Sequence, residues 1–251
     1  MHDTAARGFA AAAEGYERTR PDYPAEALDR LIQELEVTPA ATVLDLGAGT
    51  GKLARMLLPT HARVVALEPV EAMWRTFRQV LPEVEVVAGT AEALPFLDAS
   101  FDAVVVAQAF HWFRGEDALE GIARVLKPMG RLGLLWNIRD ESVPWVGRLG
   151  EIVGPYERKA PRGQTGAWRE AFSRTDLFGS LHQRRFTHHQ ELDEEGLVTR
   201  VASTSFIASL EPREERERVL GEVRALARSV AEEQGSIVLP YLTDLYWCVR
   251  A

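Results

Sequence analysis

Short apolar runs and amphipathic segments alternate along the first half of this chain. The segment AEALDRLIQELE, from position 25, has apolar residues three or four positions apart, which predicts an amphipathic helix. Five short runs are apolar almost throughout, which is typical of buried strands. They are ATVLDLG (41–47), RVVALE (63–68), VEVVAG (84–89), FDAVVVAQ (101–108) and RLGLLWN (131–137). Helical patterns separate most of them, so we expect a parallel sheet covered on both faces.

The regular alternation stops near Asn137. Residues 138–180 are rich in Gly, Pro, Trp and Arg, and we expect an insertion or lid over the carboxyl edge of the sheet. A strand (HQRRFTHHQ), two helices (DEEGLVTRVAS and PREERERVLGEVRALARSVAEEQ) and a last strand (SIVLPYLTDLYWCVRA) should follow. We therefore predict one domain over 1–251, with an N-terminal cap at 1–37, a core at 38–137, the lid, and C-terminal helices and closing strands at 181–251.

Composition narrows the class of protein. The 251 residues carry a formal net charge of −8, which argues against a nucleic-acid partner. No apolar run approaches the length of a membrane helix, and we expect no membrane partner. The single cysteine, Cys248, excludes an internal disulfide, and the histidines have no spacing typical of a metal site. We expect a cytoplasmic protein, a monomer or homodimer, with no metal.

Three glycines within five positions mark the stretch LDLGAGTGKLA, at Gly47, Gly49 and Gly51. A triphosphate loop is excluded, because it needs a hydroxyl residue where Leu53 stands. A dinucleotide loop fits the pattern, with Glu68 about 20 residues further on to bind a ribose.

The charge of the loop favours a different ligand. Asp45 stands at the end of the preceding strand, where it would repel a pyrophosphate. S-Adenosylmethionine has no phosphate and carries a sulfonium and an ammonium group, so it suits an acidic site. Asp45 could instead only cap the turn. The glycines would let the backbone approach the methionyl part closely.

Two stretches now identify a family resemblance. VLDLGAGTGKLA followed by VVALEPVEAMW resembles the first two motifs of the class I S-adenosylmethionine-dependent methyltransferases. AGTAEALPFLDASFDAVVVAQAFHWF resembles the third and fourth motifs of their small-molecule branch, the group of the ubiquinone/menaquinone-biosynthesis and trans-aconitate methyltransferases. The resemblance covers about residues 40–137. It implies an α/β, Rossmann-like, seven-stranded and mostly parallel sheet, with S-adenosyl-L-methionine as cofactor and a small-molecule methyl acceptor as partner.

The resemblance also implies roles for particular residues. Three groups should surround the cofactor: the glycines and Asp45 around the methionyl moiety, Glu68 at the ribose, and Met73 at the adenine. Ala91 and Glu92 should contact the adenine amine. Ala107 and Gln108 should lie beside the sulfonium. Met73 could equally be helix core, and Glu92 could be solvated.

Further candidates concern catalysis and the closing of the pocket. His111 could act as a general base, or it could only shape the pocket beside Trp112. Tyr16, Arg20 and Tyr23 could close over the cofactor, and Arg20 could bind a carboxylate or remain solvated. The alternatives to methyl transfer are a nicotinamide-dependent oxidoreductase and a non-catalytic cofactor-binding protein with the same fold.

Overall fold

One seven-stranded sheet organises the chain, for which a computed structural model describes residues 17–157 and 165–251. The strand order is β3-β2-β1-β4-β5-β7-β6. The strands are β1 (Thr42–Leu46), β2 (Arg63–Leu67), β3 (Glu85–Val87), β4 (Phe101–Ala107), β5 (Leu126–Arg139), β6 (His182–Leu192) and β7 (Ile237–Val249).

The first five strands pair in parallel, and the last two are antiparallel to their neighbours. The fold prediction of a seven-stranded, mostly parallel sheet is therefore confirmed. The strand β1 has β2 on one side and β4 on the other, so the direction of winding reverses there. In open α/β sheets, ligands bind at the carboxyl ends of the strands beside such a reversal.

Helices cover both faces of the sheet. They are α1 (Ala25–Glu34), α2 (Lys52–Leu57), α3 (Glu71–Val80), α4 (Gly115–Val125), α5 (Pro144–Glu157), α6 (Arg169–Ser173), α7 (Glu194–Ala202), α8 (Ser205–Ala208) and α9 (Arg213–Gln234). Short 3₁₀ turns cover Leu58–Thr60 and Phe110–Trp112. No described helix is both long enough and apolar enough to cross a bilayer.

Each face of the sheet has its own apolar core. Helices α1 to α3 bury Leu31, Leu53 and Phe77 against one face. The other face packs against α4 and the 3₁₀ turn at Phe110–Trp112, through side chains such as Ile122 and Phe110. This burial on both faces explains why the first strands are apolar almost throughout.

The segment expected to form a lid is in part a packed helical layer. Trp145 and Val153 of α5 are buried against α7 and α9, where Val201 and Val223 contribute to a third apolar core. An insertion or lid formed by residues 138–180 over the carboxyl edge of the sheet stays a prediction. These contacts do show that α5 is anchored by side chains that come from the C-terminal helices.

The start of β5 differs from the prediction, which began this strand at Arg131. The helix α4 ends at Val125, and β5 already begins at Leu126, which pairs with Phe101 of β4. The register shifts between Phe101 and Ala103, and Met129 has a φ of 62°. The pairing with β4 thus starts the strand five positions before the predicted residue.

Candidate functional site

The three glycines of the loop after β1 all have left-handed backbone. Their φ angles are 74° at Gly47, 60° at Gly49 and 91° at Gly51. A side chain at Gly47 would lie 2.8 Å from Ala109 Cβ, and one at Gly51 would lie 2.7 Å from Leu81 Cδ1. A side chain at Gly49 would meet nothing within 4 Å. Gly47 and Gly51 thus allow close internal packing, whereas Gly49 faces open space.

Glu68, at the end of β2, holds this loop in place. Its Oε2 accepts a hydrogen bond from Gly49 N–H and its Oε1 accepts one from Val70 N–H, both at 2.9 Å. Burial raises the pKa of Glu68 to about 7, although the amide groups of Val70 and Gly49 oppose the shift. Each oxygen keeps a second lone-pair direction, so hydroxyl groups of a ribose remain acceptable partners.

Asp45 lies in β1 beneath the glycine loop and is fully buried. Neither carboxylate oxygen has a hydrogen-bond partner among the described residues. Burial raises the pKa of Asp45 to about 7, the Ala54 amide opposes the shift without completing a normal hydrogen bond, and Glu68 adds to it. Two buried acids side by side create a site that favours a positively charged ligand.

The residues expected at the adenine have internal contacts. Met73 is 2% exposed and packs against Val70, and Ala91 is 4% exposed. Partial burial tends to raise the pKa of Glu92, but the Arg114 N–H that donates to its Oε1 at 3.1 Å contributes to a net lowering. The carboxylate of Glu92 is thus bonded to the start of α4 and is not simply solvated. The contacts of Met73, Ala91 and Glu92 with the adenine remain predictions.

Ala107 and Gln108 end β4 beside the glycine loop. Gln108 has a φ of 59°, an uncommon conformation for a residue with a side chain. Its N–H donates to Leu135 O at 2.8 Å, and its Nε2 donates to Asn137 O at 3.3 Å. Asn137, which the sequence did not single out, also donates from Nδ2 to Asp22 O at 3.1 Å. The end of β4 is therefore held rigidly by β5.

The N-terminal segment lies against the glycine loop. Thr50 Oγ1–H donates to Glu17 Oε2 at 2.5 Å, and Arg55 Nη1 donates to Glu17 Oε1 at 2.9 Å. Glu17 was missed because nothing in its local pattern indicates a long-range contact. Tyr23 is 7% exposed and belongs to the core, and Tyr16 lies outside the described residues.

A cavity of about 40 Å³ remains between this segment, the loop and the end of β4. It is lined by Arg20, Pro21, Tyr23, Gly47, Ala48, Gly49, Thr50, Lys52, Leu53, Ala107, Gln108, Asn137 and Arg200. Most of the residues expected around a methionyl group and a sulfonium are thus brought together, and Arg200 joins them from α7.

His111 has a partner that weakens its expected role as a base. Trp136 Nε1–H donates to His111 Nδ1 at 3.1 Å, and burial lowers the pKa of His111 to about 4. The imidazole is then neutral at pH 7 with its proton on Nε2, and the Nδ1 lone pair is already used. The ring of Trp112 lies 5.2 Å from that of His111. This arrangement favours the pocket-shaping role that was the alternative.

A larger cavity, of about 340 Å³, is lined in part by Trp136. Trp136 stacks on Trp168 with ring centroids 4.5 Å apart, and both rings contact Tyr246 edge-on. Arg185 forms two hydrogen bonds to Asp244, at 2.6 and 2.8 Å. These residues come from β5, from the position just before α6, and from β6 and β7, so no local sequence pattern could have grouped them. No cluster of three or more metal-ligating side chains occurs in the described parts of the chain.

Comparison with known proteins gives a consistent result. A family model described as a methyltransferase domain matches residues 44–134. An uncharacterized methyltransferase of Mycobacterium bovis is 42% identical over 248 residues, covering 97% of this chain and 94% of that protein. A demethylmenaquinone methyltransferase of Thermotoga maritima is 36% identical over 118 residues, 46% of this chain and 51% of that protein.

A solved structure with the same fold is that of a putative type II methyltransferase from Anaeromyxobacter dehalogenans. The TM-score is 0.66 at 22% identity, and the match covers 92% of this chain and 97% of the other. At this identity the likeness concerns the fold alone.

Proposed function

Since this chain belongs to the class I S-adenosylmethionine-dependent methyltransferases, we propose that it methylates a small-molecule acceptor and releases S-adenosylhomocysteine. The observation that carries the proposal is the pair of buried acids beneath the glycine loop. Asp45 has no hydrogen-bond partner among the described residues, and the nearby Gly49 faces open space. A cationic, phosphate-free cofactor suits this site, whereas a pyrophosphate would be repelled.

The proposed cofactor contacts follow from these positions. The ribose would be held by Glu68, which is already fixed by two backbone N–H groups. The methionyl group would lie on Gly49 and beside Gln108, close to Asp45. When bound, S-adenosylmethionine supplies an activated methyl group on its sulfonium, so the protein need only position the acceptor and exclude water.

The acceptor would occupy the cavity beside Trp136. Its volume of about 340 Å³ falls within the range typical of small-molecule sites. Trp136 and Tyr246 offer an aromatic wall, and Arg185 paired with Asp244 offers polar groups at the rim. The name of the Thermotoga maritima relative, a demethylmenaquinone methyltransferase, supports a small acceptor of this kind.

No general base is part of the proposal. His111 is neutral at pH 7, and its Nδ1 already accepts a hydrogen bond from Trp136. We therefore infer that catalysis depends on orientation and on exclusion of water, which can contribute several kcal/mol to a two-substrate reaction. An acceptor that ionises by itself near neutral pH would need no base from the protein.

The cytoplasm is the compartment we propose for this reaction. Cys248 is buried and unpaired in the structure, which suits a compartment that keeps thiols reduced. Whether the enzyme acts as a monomer or a homodimer stays a prediction.

A binding experiment tests the cofactor assignment. Calorimetric titration of the whole protein with S-adenosylmethionine, S-adenosylhomocysteine, NAD and NADP should give binding only for the first two. Binding of NAD alone would overturn the proposal in favour of an oxidoreductase. Tight binding of S-adenosylmethionine with no transfer to any member of a broad acceptor panel would instead indicate a non-catalytic binding protein.

A variant pair makes the test specific to the ribose site. Glu68→Ala should weaken S-adenosylhomocysteine binding by about 1.5–3 kcal/mol, the scale of hydrogen bonds to a charged group. Glu71→Ala is the matched control, because Glu71 starts α3 three positions further on and, among the described residues, its carboxylate bonds only the exposed Arg75. Unchanged affinity in Glu68→Ala would show that Glu68 does not bind the ribose.

A further inference from the structure

Arg200 is a buried cation at the wall of the cavity above the glycine loop. It belongs to α7, about 150 positions after the loop, and it is only 6% exposed. The same cavity is lined by Gly49, Gln108 and Asn137. Arg200 therefore borders the place proposed for the methionyl part of the cofactor.

The charge of Arg200 is not balanced by the described part of the protein. Its Nε donates to Tyr241 Oη at 3.2 Å, and the guanidinium lies 6.0 Å from the centre of the Tyr241 ring. Across residues 17–157 and 165–251, no carboxylate forms an ion pair with Arg200. Arg139 shows the contrast: it is also largely buried, and it pairs with Glu157 at 3.0 Å and with Glu141 at 3.6 Å. A buried cation without an anionic partner is costly, which points to an anion supplied from outside.

Neighbouring groups hold Arg200 in a fixed orientation. Tyr241 Oη–H donates to Gln190 Oε1 at 3.4 Å, and Gln190 Nε2 donates to Thr19 O at 2.9 Å. These bonds connect β7, β6 and the N-terminal segment behind the guanidinium. Because the Nε group is already occupied by Tyr241, the two terminal nitrogens remain for a ligand, and they can bind a planar carboxylate in bidentate fashion.

We propose that Arg200 binds the carboxylate of the methionyl group of S-adenosylmethionine. The proposal rests on the proposed function and adds an orientation for the cofactor. Asp45 and Glu68 make the floor of the site acidic and favour the sulfonium and ammonium groups there. The one carboxylate of the cofactor is then turned away from the floor, toward the cationic wall that Arg200 provides.

Two ligands that differ only in the carboxylate test this assignment. S-Adenosylhomocysteine carries the group, and its decarboxylated analogue, S-adenosyl-3-thiopropylamine, lacks it. In calorimetric titrations Arg200→Met should weaken binding of S-adenosylhomocysteine about ten- to a hundredfold, and it should change binding of the decarboxylated analogue less than about twofold. Arg200→Lys, which keeps the charge but loses the planar fork, should show an intermediate loss.

The control is Arg224→Met on the adjacent α9, where the arginine forms an ion pair with Glu195 on the surface. It should leave both affinities unchanged. An equal loss of affinity for both ligands in the Arg200 variants would show that Arg200 has a purely structural role, and it would overturn the proposal. Unchanged affinity for S-adenosylhomocysteine would also overturn it, and would leave an acceptor carboxylate as the anion. If the wild-type protein binds neither ligand, the proposed function itself fails.

Discussion

Replacing Asp45 by asparagine should stabilise the ligand-free protein at alkaline pH and destabilise it at acidic pH. The side chain is fully buried, and its two oxygens have no partner among the described residues. Burial raises its pKa from 3.8 to about 7. Between these two values the folded state binds more protons than the unfolded state, so the contribution of Asp45 to stability is lost as the pH rises from about 4 to about 7.

The size of the effect follows from the shift. A rise of about three pKa units, from 3.8 to about 7, corresponds to at most about 4 kcal/mol between acidic and alkaline conditions. The asparagine amide would bury N–H groups without an acceptor, which costs about 1–3 kcal/mol at every pH. The variant should therefore be less stable than the wild type near pH 4, and more stable by about 1–3 kcal/mol near pH 8.

The quantity to compare is the difference in the free energy of unfolding between Asp45→Asn and the wild type, because His111 also titrates. Burial lowers the pKa of His111 from 6.5 to about 4, so its contribution to stability is lost as the pH falls through this range. This dependence opposes that of Asp45. Since both proteins contain His111, its contribution cancels when the free energies of unfolding are subtracted.

Urea unfolding followed by circular dichroism at half-unit steps from pH 4.5 to 8.5 provides the measurement. Asp176→Asn, at an exposed position, is the matched control and should follow the wild type at every pH. A difference between Asp45→Asn and the wild type that stays constant with pH would refute the reasoning. Such a result would mean that Asp45 is solvated, or paired, in the folded protein.

Two other predictions concern the loop and His111. Gly49→Ala should cost only about 1–2 kcal/mol of backbone strain and should greatly weaken S-adenosylhomocysteine binding. Gly51→Ala should lower the melting temperature much more than Gly49→Ala does, because its Cβ would lie 2.7 Å from Leu81 Cδ1. Equal losses of stability in the two variants would contradict this. In an NMR titration the His111 ring signals, assigned with His111→Asn, should not change between pH 5.5 and 8, since the pKa of His111 is about 4. A transition near pH 6.5 would show that the ring is not buried beside Trp136.

The local features of the fold and the site could be read from the sequence. The apolar runs predicted the strands because a parallel strand covered on both faces must be apolar at nearly every position. The three glycines marked the loop as a place where the backbone can approach a ligand closely. In the structure all three have positive φ angles, which other residues adopt at a cost. The sequence singled out Glu68 for a contact with a ribose, which stays a prediction. In the structure its carboxylate accepts a hydrogen bond from Gly49 N–H of the loop.

Contacts between distant segments were decided only by the tertiary structure. The placement of β7 between β5 and β6, the hydrogen bond from Trp136 to His111, and the position of Arg200 beside the glycine loop each join residues far apart in the chain. Periodicity reports which face of an element is buried, but not which other element covers it. The sequence alone therefore determined the strands, the loop and the cofactor class that they suit. The complete burial of Asp45, the weakened basicity of His111 and the unbalanced charge of Arg200 depend on packing and exclusion of water, which exist only once the chain has folded.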